Sequence, residues 1–102
     1  MAVVDVTIVP VGTASASLSE YVAGCLDVLQ GAAGITYQLT PMSTVIEGEL
    51  GRVLEVIALM HEQPFIRGAC RVVTTIRIDD RRDKKLTAAG KVAAVQARLG
   101  KK

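Results

Sequence analysis

The spacing of apolar residues switches repeatedly between a period of two and a period near 3.6, and this rhythm limits the chain to a few architectures. Residues 3–9, VVDVTIV, put Val4, Val6 and Ile8 on one face and Val3, Asp5, Thr7 and Val9 on the other, the pattern of a strand. Ser17-Leu18-Ser19-Glu20 then reads as a capping box. Leu18, Tyr21, Val22, Cys25 and Leu29 follow at helical spacing, so a helix is predicted over 18–30, ended by Gly31 and Gly34. Two short strands, 35–40 and 43–48, meet at Pro41-Met42, where proline cannot donate a ladder bond, and read as a hairpin. The period then lengthens again, with Leu50, Val53, Leu54, Ile57 and Met60 on one side of a helix over 50–62 that Pro64 is expected to terminate. A fourth strand over 70–79 alternates Val72, Thr74, Ile76 and Ile78 against Arg71, Val73, Thr75 and Arg77. After the run DDRRDKK, a last helix over 84–98 is expected to start at an Asp83 cap, with Leu86, Ala89, Ala93 and Leu99 along one face.

Strand, helix, strand, strand, helix, strand and a closing helix make the ferredoxin-like βαββαβ sandwich of the α+β class, with an antiparallel four-stranded sheet and an additional C-terminal helix. Right-handed crossovers place both main helices on one face of that sheet. One domain over 1–102 accommodates the order. The other face collects Asp5, Thr7, Val9, Gln38, Thr40, Val45, Glu47, Arg71, Val73, Thr75 and Arg77. Valines among paired polar groups suit contact with a second subunit, so self-association is expected. With aromatics at 3% and no Trp, the core must be built from Val, Ile, Leu and Ala.

Several function classes lose support from the same residues. A net charge of +2 gives no long-range field for nucleic acid or an acidic membrane surface. An RNA-reading sheet needs stacking aromatics at fixed strand positions, and only Tyr21, Tyr37 and Phe65 are present. Cys25 and Cys70 stand alone, without metal-ligand spacing or a disulfide framework, so no metal is expected and a reducing cytoplasm is the default. The N-terminus carries Asp5 and is broken by Pro10 and Gly12, which reads as a first strand rather than a signal. No nucleophile, base and orienting group can be assembled, so no catalytic residues are assigned.

What remains is a polar cluster in the hairpin. Glu47 closes the run Val45-Ile46 and precedes Gly48, which lets another group approach the backbone. It reads either as a rim acid before a helix or, with the neighbouring hydroxyls, as part of a site for a polar heterocycle. Ser17 is explained by helix capping, and the hydroxyls of 13–17 lack the Gly-Lys-Ser/Thr ending of a phosphate loop. His61, the sole histidine, is expected in the last turn of its helix, and the run Arg81 to Lys85 reads as surface ion pairs.

Three stretches, VPVGTASASLSEYVA (9–23), YQLTPMSTVIEGE (37–49) and RVVTTIRIDDRRDK (71–84), together with KVAAV (91–95), resemble the small thiamine-binding protein family with a ferredoxin-like fold. The resemblance implies a non-catalytic cytoplasmic protein that binds thiamine or its hydroxymethylpyrimidine part, for sequestration, delivery or sensing, without a further cofactor. It also implies assembly as a dimer or tetramer, with neither nucleic acid nor membrane as partner. Carried onto matching positions, it assigns Thr40, Met42, Ser43, Thr44 and Glu47 to the ligand site, with Thr7 and Thr13 as additions. The alternative is an oligomeric structural or regulatory module that binds another small ligand or a protein partner.

Overall fold

The computed structural model describes residues 1–12, 19–83 and 87–100. Within them the chain forms β1 (Ala2–Pro10), α1 (Ser19–Gly31), β2 (Ile35–Leu39), β3 (Thr44–Gly48), α2 (Leu50–Ile66), β4 (Val72–Asp80) and α3 (Ala88–Leu99). The strands lie in the order β2-β3-β1-β4, each pair antiparallel. This is the predicted ferredoxin-like α+β arrangement with its extra C-terminal helix.

Period-two alternation decides which side of the sheet the helices cover. Ala2, Val4, Val6 and Ile46 are buried against Cys25 and Leu29 of α1 and Val53, Val56, Ile57 and Met60 of α2. The register sets Asp5 opposite Val45 on one side and Arg77 on the other, and Val45 opposite Gln38, so the uncovered face carries the mixed residues expected of it. Gly48 is buried where β3 ends. A Cβ there would lie 3.1 Å from both the Gly34 carbonyl oxygen and Ile35 Cγ2, and 3.3 Å from Val53 Cγ2. The group that approaches Gly48 is therefore the start of β2 and the first turn of α2.

Two expectations about helix ends are corrected. Pro64 does not terminate α2, which runs on to Ile66 with Pro64 buried inside it. Proline removes the N–H that would have bonded to the carbonyl of Met60, four residues earlier. The Cys25 thiol of α1 donates to that oxygen instead, at 3.5 Å. His61 therefore sits more than a turn before the helix end, where Nδ1 and Thr74 Oγ1 are 2.6 Å apart and tie α2 to β4. Its ring also meets Phe65 edge-on, with centroids 5.5 Å apart.

Asp83 does not cap the last helix. Both of its carboxylate oxygens accept from Arg81, and the N-cap is Thr87, whose hydroxyl accepts from the Gly90 N–H at 2.9 Å. Ser17 and Leu18 at the expected start of α1, and residues 84–86 of the expected last helix with Leu86 on its apolar face, lie outside the described residues.

No residue of α3 is buried, and Val92, Val95 and Leu99 are all more than half exposed. Its first turn is held to the sheet by the Ala88 N–H, which donates to Glu47 Oε1 at 2.8 Å, and by an ion pair between Lys91 and Asp79. The resulting shape measures 50 × 29 × 19 Å with a radius of gyration of 15.4 Å. A compact chain of this length would have a radius of about 13 Å.

Candidate functional site

A gap opens where the sheet's inner ladder stops. β1 and β3 pair from Ala2↔Gly48 to Val6↔Thr44, whereas β1 continues beside β4 as far as Pro10↔Val72. On the side that faced β3, residues 7–9 of β1 have no strand partner among the described residues. The space is bounded instead by the β2–β3 turn, whose local chemistry explains its hydroxyls. Pro41 offers no N–H, so the turn is closed from its flanks. Thr40 N and Thr40 Oγ1 both donate to the Ser43 carbonyl at 2.8 Å, and Ser43 N donates back to Thr40 Oγ1 at 3.0 Å. The two hydroxyl oxygens are themselves 3.2 Å apart. Met42, at the tip, is 84% exposed.

This notch opens on two cavities, one on each face of the sheet. On the helix side a cavity of about 650 Å³ lies between the turn, β1 and α1. Val22, Ala23, Leu26, Leu39 and Met60 give it an apolar lining, into which Thr40, Ser43 and Thr44 bring hydroxyls. On the open face a smaller cavity of about 180 Å³ is lined by Asp5, Thr7, Met42, Ser43, Thr75 and Arg77. Thr7, Met42 and Ser43 belong to both linings.

The small cavity contains an asymmetric ion pair. Arg77 donates from Nε at 3.1 Å and from Nη2 to the same oxygen, Oδ2 of Asp5. Oδ1 is shut off from solvent and has no donor in hydrogen-bonding geometry among the described residues. The Arg77 bonds hold the Asp5 carboxyl below the ordinary aspartate range, and the nearby Ser43 hydroxyl adds to that effect, against the opposing pull of burial. Asp5 is thus an anion with one oxygen committed.

Of the residues assigned from sequence, Thr7, Thr40, Met42, Ser43 and Thr44 converge on the notch. Glu47 does not. It faces the open side of the sheet beyond Val45, lines neither cavity and accepts from the start of α3. Thr13 lies outside the described residues. Sequence reading did not bring Asp5, Thr75 and Arg77 to the notch, where they line the small cavity. The signal was the opposite charges of Asp5 and Arg77 at same-face strand positions, which become neighbours only once the register is known.

Other chemistry is sparse. A third cavity of about 660 Å³, at the far end beside Glu49 and Leu50, is bordered by Arg81 and Arg82, which are paired with Asp83 and Asp80. The described residues hold no cluster of three or more His, Cys, Asp or Glu side chains able to bind a metal. No described helix is long and apolar enough to cross a membrane. The notch therefore offers hydroxyls, one ionised carboxylate and an apolar floor, a set suited to holding a flat polar molecule.

Comparison with known proteins agrees on where the chain belongs. A Bacillus subtilis (strain 168) relative, UPF0045 protein YqgV, is 54% identical over 102 residues, covering 97% of this chain and 98% of that protein. A UPF0045 protein of Staphylococcus xylosus is 49% identical, over 97% of this chain and 95% of its own length. The crystal structure of the hypothetical protein MJ1052 from Methanocaldococcus jannaschii superposes with a TM-score of 0.83 at 32% identity, over 93% of this chain and 95% of that one. The sequence profile described as thiamine-binding protein matches residues 4–96, and the chain belongs to that family.

Proposed function

We propose that this protein binds thiamine or its hydroxymethylpyrimidine part in the notch beside the β2–β3 turn, without catalysing a reaction on it, and so serves sequestration, delivery or sensing in the cytoplasm. Family membership supports this choice of ligand class. The observation that carries the reading is the meeting of two unlike cavities at Thr7, Met42 and Ser43. A ligand with two rings joined by a short bridge can lay one ring in each. Self-association to a dimer or tetramer belongs to the same reading, supported by the exposed apolar side of α3 and the uncovered sheet face. Those surfaces also favour the second reading, an oligomeric module whose ligand is another small molecule or a protein.

Calorimetric titration with thiamine, thiamine diphosphate and free hydroxymethylpyrimidine tests the proposal. Saturable binding of thiamine or the pyrimidine is the expected result. Thr44→Val, which keeps shape but removes a hydroxyl from the larger cavity, should weaken it by about two- to tenfold. If none of the three ligands produces heat or raises the melting temperature, the second reading replaces the first.

A further inference from the structure

Resting on the ligand class proposed above, we infer that Asp5, rather than Glu47, is the carboxylate that accepts the amino group of the ligand's aminopyrimidine ring, in the small cavity on the open sheet face.

The argument begins with an unfilled acceptor. Buried polar atoms are almost always hydrogen-bonded, and an ionised oxygen without a donor is the costliest kind to leave alone. Arg77 places both of its bonds to the carboxylate on Oδ2, and among the described residues Oδ1 has no donor in hydrogen-bonding geometry. The group beside the carboxylate is the Ser43 hydroxyl, which is shared with Thr40 Oγ1 at 3.2 Å. It turns about a single bond, so the oxygen can be uncovered without moving the backbone.

The cavity's size and lining select the class of ligand. Its 180 Å³ equals roughly six waters' share of liquid volume, room for one substituted six-membered ring. An aminopyrimidine presents an exocyclic amino donor next to a ring-nitrogen acceptor. Asp5 can take the first, and the hydroxyls of Thr7, Ser43 and Thr75 can donate to the second. Asp5 is ionised at neutral pH, and the bonds from Arg77 lower its pKa further, so the amino contact is charge-assisted. Glu47 has the right chemistry but a competing partner, because its Oε1 holds the first turn of α3.

The test compares 4-amino-5-hydroxymethyl-2-methylpyrimidine with its analogue lacking the amino group, by calorimetry on the full chain. The wild type should prefer the amino compound by about ten- to a hundredfold. Asp5→Asn should weaken the amino compound by about the same factor and bring the two affinities together. Glu47→Gln, which leaves the Asp5 carboxylate in place, should keep the preference. Full preference in Asp5→Asn, or its loss in Glu47→Gln, overturns the inference and leaves the function standing. Equal loss for both compounds in Asp5→Asn also overturns it, by showing that the substitution acts through the fold. A changed molecular mass in Asp5→Asn with the preference intact would make the carboxylate an intersubunit group and likewise overturn it. Absence of binding in the wild type defeats the functional reading itself.

Discussion

Cys25 shows how one side chain can let a helix pass through a proline. Its thiol reaches from α1 to the Met60 carbonyl that Pro64 cannot serve, and burial pushes the thiol pKa up while Arg67 opposes weakly, so the proton needed for donation is retained. Cys25→Ala should cost about 1–3 kcal/mol, combining a lost contact with an orphaned carbonyl. In a Pro64→Ala background the backbone supplies its own donor, and the same change should cost at least about 0.5 kcal/mol less. Denaturant melts of the four proteins close that cycle, and equal costs in both backgrounds would reduce the thiol to a space-filler. The sequence placed Cys25 on the buried side of a helix because burial follows a local period. Its partner lies 35 positions away, and the expected stop at Pro64 failed for that reason: the rule concerns one helix, and the repair came from another.

Among elements, the strands and the main helices were legible because their faces are written at periods of two and 3.6, whereas caps and connections were not. Asp83 and Thr87 both satisfy the local rule for a cap, and the structure seats Thr87 there while Asp83 pairs with Arg81. The candidate site divided in the same way. Thr40, Met42, Ser43 and Thr44 are contiguous with a recognisable turn, while Asp5 and Arg77 are 72 positions apart and Glu47 meets Ala88 across 41. Since Glu47 places a carboxylate at the positive end of α3, Glu47→Gln should weaken that helix by about 0.3–1 kcal/mol. Glu47→Ala should weaken it further, having lost the acceptor as well as the charge. Backbone chemical shifts of residues 88–99 would record the loss of helicity in that order. Unchanged shifts in Glu47→Ala would mean that Thr87 and the Lys91–Asp79 pair hold the helix alone.

At the scale of the whole molecule, the elongated outline follows from a helix that leaves the body after its first turn. Val92 and Val95 on that helix, with Val9 and Val73 on the open sheet face, are more than a third exposed, a surface suited to a second copy. The proposed self-association predicts a dimer or larger species in light scattering at micromolar concentration, reduced in mass by Val92→Asp with Val95→Asp. A wild-type monomer would overturn it. α3 has only twelve residues, and helices shorter than about 12–15 residues are marginal when they stand alone in water. Its backbone amides should therefore exchange with deuterium almost freely in dilute solution and slow as the protein is concentrated, while those of Val4 and Ile46 stay protected throughout. The last helix then acts as a gauge of how crowded the protein is with copies of itself.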